Sequence, residues 1–170
     1  MKKKVSGTPS IKPRTYVSEK LVLDITKLES TFYRADLIIY GLDHSGPSYE
    51  GRVFINNLKA NYYTPEDSAH GYTGSFFVFG HGDCLGDEGH CEINRPSVRF
   101  NMIPNPLVPE KLSLIITEIL KELGKTTNEF TFTIVPILAA GSEKACQKDA
   151  DLKNVVLLHK ISIETYDKDE

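Results

Sequence analysis

With 170 residues, 40% of them hydrophobic and 25% charged, the chain has the size and composition of one soluble globular domain with a sizeable core. A net charge of −3 supplies no global field for nucleic acid or an anionic membrane surface, and no basic stripe interleaved with aromatics points to nucleic acid. The basic opening, Met1 to Lys4, runs into Val5-Ser6-Gly7 and not into an apolar stretch, so neither a secretory signal nor a membrane span is expected. Three cysteines, an odd number, argue against a complete disulfide framework. With Met1 read as a native start, a cytoplasmic, reducing location is expected.

Residues 1–16, with their lysines and Pro13, read as a flexible arm ahead of one domain over 17–166. Glu19 to Ile25 alternates Leu21, Leu23 and Ile25 against Lys20, Val22 and Asp24, the period of a half-buried strand. Phe32 to Tyr40 is a second strand, and Gly41 to Ser48 a polar loop bounded by Gly41, Gly46 and Pro47. Arg52 to Asn56 forms a third, followed by a long polar connection to Tyr72. Ser75 to Phe79 is a fourth. Residues 94–110 hold four prolines and leave room only for an edge strand over Val98 to Met102. Lys111 to Leu123 fits either a helical stripe between Pro109 and Gly124, or a strand at Leu112–Ile116 with a short helix after it. Phe130 to Leu138 alternates strongly, Ala139 to Asp151 is a loop or a single helical turn, and Val155 to Thr165 closes the domain. The aromatics Phe76, Phe77, Phe79, Phe130 and Phe132 sit at strand spacing and read as core. About seven or eight strands with one short helix predict a mostly β protein, an antiparallel β-sandwich.

Reactive side chains concentrate in Gly71–Glu92. An apolar strand breaks there into a loop with glycines at 80, 82, 86 and 89, holding His81, Asp83, Cys84, Asp87, Glu88, His90, Cys91 and Glu92. His81, Cys84, His90 and Cys91 offer sulfur and imidazole, the donors that suit Cu(I) and Zn. The spacing is not that of a zinc ribbon, and the competing reading is that Cys84 and Cys91 pin the loop by packing or by a disulfide. The four acidic residues lack the D-x-D-x-D-G order of a calcium loop. Asp43-His44-Ser45 has the residue types of a hydrolase triad without a G-x-S-x-G elbow, so His44 is expected to organise the turn towards Pro47. Cys146 reads as a lone thiol and His159 as a satisfied histidine of the last strand.

Val17 to Ile25, Arg34 to Tyr40 and Gly74-Ser75-Phe76, in that order, resemble the C-terminal domain of polyphenol oxidases and tyrosinases. There an "AGSF"-like strand leads into a histidine-bearing loop. Ser113 to Leu123 with Phe130 to Pro136 is similar to that family's strand, "TELL"-type helix and "VTLVP" strand, and Val156 to Glu164 to its last strand. Asp43 to Asn57 and Gly74 to Cys91 resemble the "DHSGPS-EGRVF-NN" and "GSF-VFGHG-C-GD-GHC" segments of the bacterial tyrosinase-like variety. The resemblance spans residues 17–165. It implies a sandwich that covers a pair of coppers held by six histidines on a helical domain. The helical domain is absent here, and five histidines cannot supply six ligands, so the resemblance implies a cover domain without oxidase activity. It also favours strand then short helix over Lys111 to Leu123.

These readings converge on a non-catalytic binding or shielding module that meets a tyrosinase-like copper protein, or another protein, and carries or delivers copper through the 71–92 loop. Two alternatives stand beside it: a small metal-dependent enzyme using a His/Cys site in the same loop, and a structural interaction module without metal.

Overall fold

The computed structural model describes residues 12–24, 32–81, 108–139 and 152–167. The expected edge strand over Val98 to Met102 lies outside them, as does Cys146. Among the described residues there are nine strands in three antiparallel sheets and one α-helix. The strands are β1 (Tyr16–Val17), β2 (Leu21–Val22), β3 (Arg34–Leu42), β4 (Tyr49–Ile55), β5 (Tyr72–Val78), β6 (Glu110–Ile115), β7 (Glu129–Phe130), β8 (Phe132–Leu138) and β9 (Lys160–Tyr166). The helix, α1, spans Thr117–Leu123 between β6 and β7. One layer is the sheet β1-β8-β4-β5, the other is β6-β3-β9, and β2 pairs with β7 as a small third sheet. The expected mostly β sandwich with one short helix is therefore the observed fold. No helix among the described residues is long and apolar enough to cross a membrane.

Alternation builds the core. Leu37 and Ile39 of β3, Val53 and Ile55 of β4, Phe132 and Ile134 of β8 and Ile161 of β9 belong to one buried cluster between the two larger sheets. Leu120 of α1 is fully buried in the same cluster. Truncating such a side chain to alanine costs about 2–5 kcal/mol by lost transfer energy and a residual cavity. The helix starts where β6 ends, beside the start of β3: Ile116 N–H donates to the Ala35 carbonyl at 2.9 Å, and the Thr117 hydroxyl accepts from Ala35 N–H at 3.0 Å.

The outward faces differ from a simple polar exterior. Phe54 and Val135 are buried on the other side of the four-stranded sheet with Ala60, so the 56–71 connection folds over that face. Asn57 and Asn61 hold this connection by accepting the amides of Lys59 and Tyr63, and Asp67 caps a 3-10 turn at Ser68–His70. Gly71 ends the turn at φ 78°, and a Cβ there would collide with the Ile55 carbonyl.

Three expectations change in detail. Phe130 to Leu138 is not one strand: Thr131 N–H donates to the Asn56 side chain at 2.9 Å and its carbonyl accepts Asn56 N–H at 2.8 Å. A side chain thus replaces the ladder there, and the chain passes from the small sheet to the large one. Phe77 and Phe79 are not core; they are 65% and 82% exposed, while Val78 is buried and Phe76 packs against the core. Consecutive strand residues face opposite ways, so Phe76 and Phe77 cannot both point inward. The last strand starts at Lys160, after Val155 and Val156 have entered the core as irregular chain.

Outside the three-stranded sheet Asp36 is 3% exposed, and Arg34 holds both its oxygens at 2.7 Å while the Ser113 hydroxyl donates to Oδ2 at 2.7 Å. The Arg34 hydrogen bond keeps this carboxyl below the ordinary carboxylate range, against the opposing effect of burial and with help from Ser113. Because the folded pKa is depressed, the stability this group supplies is present above the unfolded pKa, about 4, and is lost as pH falls through the folded value. Asp36→Asn is expected to lose about 1–3 kcal/mol at neutral pH and to flatten the acid limb of stability, as read by urea unfolding between neutral pH and pH about 2.

Candidate functional site

Register places β3's end, β4's start, β5's end and β6's start at one end of the sandwich: Leu42 faces Glu110, and Tyr49 faces both Val78 and Leu138. The 43–48 turn joins the two layers there. Asp43 Oδ1 accepts from Ser45 N–H at 2.8 Å, and Asp43 N–H donates to the Leu157 carbonyl at 2.8 Å. The Ser48 carbonyl accepts from Ala139 N–H at 3.0 Å.

Strand β5 delivers His81 to this turn. Gly80 N–H donates to Ser48 Oγ at 2.9 Å, and His81 N–H to the His44 carbonyl at 2.9 Å. Gly80 lies so close to the backbone of Gly46 and Pro47 that any Cβ would collide with it, which is why glycine is needed at this position. The rings of His44 and His81 meet edge to face, 5.0 Å apart and at 88°. His44 Nε2 is 3.1 Å from the Val108 carbonyl, which only accepts, so Nε2 carries hydrogen. Its Nδ1 is 3.6 Å from Glu110 Oε1. His44 therefore holds both His81 and Val108, the residues flanking 82–107. The turn itself is organised by Asp43, while His44 reaches across it.

Of the four residues expected to form a soft-metal site, His81 is at this corner, and Cys84, His90 and Cys91 lie outside the described residues. Among the described residues no group of three or more His, Cys, Asp or Glu could hold a metal ion. The two imidazoles thus do not by themselves make up a copper site. His159 is exposed, and its N–H donates to the Tyr40 carbonyl at 2.8 Å.

Beneath the corner sits Tyr49, 2% exposed and edge-on to Phe76 at 6.3 Å. Among the described residues its hydroxyl has no hydrogen-bond partner. Burial, then the charges of Asp43 and Glu110, push its phenol well above the ordinary tyrosine value. Sequence reasoning missed this residue because Tyr49-Glu50 precedes the run expected as strand. It also missed the contact of His44 with Val108, 64 positions apart.

No protein-family model and no curated protein matches the chain. Three solved structures of a latent aurone synthase (polyphenol oxidase) are similar in shape. The recombinant protein co-crystallised with hexatungstotellurate(VI) and soaked in H2O2 gives a TM-score of 0.45, with 92% of this chain covering 25% of that one. The recombinant protein gives 0.44, with coverage of 91% and 24%, and the protein from its natural source 0.45 with the same coverage. Identity is 16% in each case. This chain spans about a quarter of the length of those proteins.

Gly80→Ala is expected to push the 79–81 segment off the 43–48 turn and to lose about 1–3 kcal/mol in urea unfolding, because the colliding atoms are backbone and do not swing aside. Tyr49→Phe is expected to be neutral or stabilising by up to about 1 kcal/mol, since it removes a buried donor that has no partner among the described residues. Its folded pKa is raised above 10.0, so stability is present below that pH and falls above it, where only the unfolded phenol ionises. Alkaline unfolding should become shallower in Tyr49→Phe yet persist, because Tyr16 and Tyr166 are also raised.

Proposed function

We propose that this chain is a non-catalytic binding or shielding module that presents residues 82–107 from one end of a sandwich to a partner, a tyrosinase-like copper protein. The observation that carries this reading is that His81 and Val108 are both bonded to His44. A segment that leaves and re-enters a packed scaffold at one point is offered to a partner at a lower ordering cost than one with free ends. The motif order from Asp43 to Asn57 and from Gly74 to Cys91, which resembles the tyrosinase cover domain, supports the choice of partner class.

Copper in this reading is cargo. Cys84 and Cys91 would be its dominant ligands, because thiolate outcompetes oxygen for Cu(I), with His81 and His90 as neutral imidazoles. These donors lose protons on binding, so affinity falls as pH drops.

The test is Cu(I) titration of the reduced, metal-free protein beside Cys84→Ser/Cys91→Ser. The reading expects binding in the parent, its loss in the double variant, an unchanged melting temperature without metal, and catechol oxidation no faster than with free copper. Unchanged binding in the variant, or none in the parent, removes the copper role and leaves a structural loop. Robust catechol turnover by the isolated, copper-loaded protein overturns the non-catalytic reading in favour of a metal-dependent enzyme.

A further inference from the structure

At the end of the sandwich opposite His44, α1 runs beside the 3-10 turn and the start of β5, and a groove separates them. It consists of two adjoining cavities of about 640 and 450 Å³ that share Ser68, Ile119 and Glu122 as lining residues. We propose that this groove docks an extended basic segment of a partner protein, with Lys or Arg side chains at alternate positions facing Glu118 and Glu122. The proposal concerns a different surface from the His44 corner and does not rest on the function proposed above.

The charge pattern selects the occupant. Glu118 and Glu122 both line the groove and are four residues apart on α1, so they share one face and repel each other. Neither carboxylate has an ion pair or hydrogen bond among the described residues. The other charged residues lining the groove have partners. The Arg34 guanidinium is spent on Asp36, and His70 Nδ1 faces Asp67 Oδ1 at 2.6 Å. Among the described residues the uncompensated charge of the groove is thus the two carboxylates, and a cationic occupant is the one that relieves their repulsion.

Spacing and apolar surface add a shape to the charge. Four residues along a helix rise about 6 Å. Alternate residues of an extended chain are about 6.6–6.8 Å apart on one face. Two basic side chains at alternate positions therefore meet the two carboxylates in register. Beside them Tyr33 and Ile115 line the groove while 67% and 59% exposed, a ledge for apolar residues flanking the basic pair.

The experiment uses the full chain and a fluorescein-labelled decapeptide with lysines at two alternate positions and leucines on either side. Saturable binding is expected, weakening as salt rises because exposed charges are screened. Glu118→Gln/Glu122→Gln should weaken it about tenfold, the effect of two exposed ion pairs. Removing the repulsion favours the helix, so this variant keeps its fold. Glu118→Lys/Glu122→Lys should instead prefer the same peptide with glutamates in place of lysines. Amide shifts on binding should centre on Thr117–Leu123 and 68–73. Undiminished binding to the Gln variant, shifts centred on 43–48, equal affinity for a peptide with serines in place of the lysines, or no binding to the parent would each overturn the proposal.

Discussion

The hold that His44 exerts on two distant parts of the chain constrains one whole end of the molecule. Its carbonyl takes the amide of His81, and its ring reaches the Val108 carbonyl and the Glu110 carboxylate. Each of the two hydrogen bonds alone is worth about 1 kcal/mol. Their joint effect is geometric: a 43–48 turn that links the two sheets also fixes where β5 ends and where the chain approaches β6. Gly80 makes this feasible, because only a residue without a side chain can pass so near Gly46 and Pro47.

The two layers are held from inside by alternating apolar residues and from outside by quite different means. Over the four-stranded sheet, the 56–71 connection buries Phe54 and Val135. Over the three-stranded sheet, the face is polar: Asp36 is satisfied by Arg34 and Ser113, and Tyr40 donates to Glu164 at 2.5 Å with Lys111 and Lys160 5.0 and 4.7 Å from its ring centroid. A face whose carboxylates already have partners is an unpromising docking surface, since a partner must break what is already matched. The two ends are where chemistry is left over, the His44 corner at one and the Glu118–Glu122 groove at the other.

Much of this was legible in the residues. The stripe from Leu112 to Leu123, with Pro109 before it and Gly124 after it, left strand and helix in competition, and Thr117–Leu123 is the helix found. The apolar runs ending Phe32 to Tyr40 and filling Ser75 to Phe79 marked β3 and β5. What alternation does not carry is which face is covered by something distant. Phe77 and Phe79 looked like core because sequence shows their apolarity and not the edge position of β5. The break at Thr131 depends on an Asn56 side chain 75 positions away. Of the candidate site, His81 was found by its glycine-rich surroundings, whereas the partnership with His44 and Val108 is purely tertiary.

The claim that His44 ties His81 to Val108 is tested most directly by NMR of the native protein. The account predicts contacts between the His44 ring and both the His81 ring and Val108, with slow hydrogen exchange at the His81 amide comparable to that of neighbouring β4–β5 amides. Exchange of the His81 amide at the rate of an unstructured chain, with no contact from His44 to either residue, would contradict it.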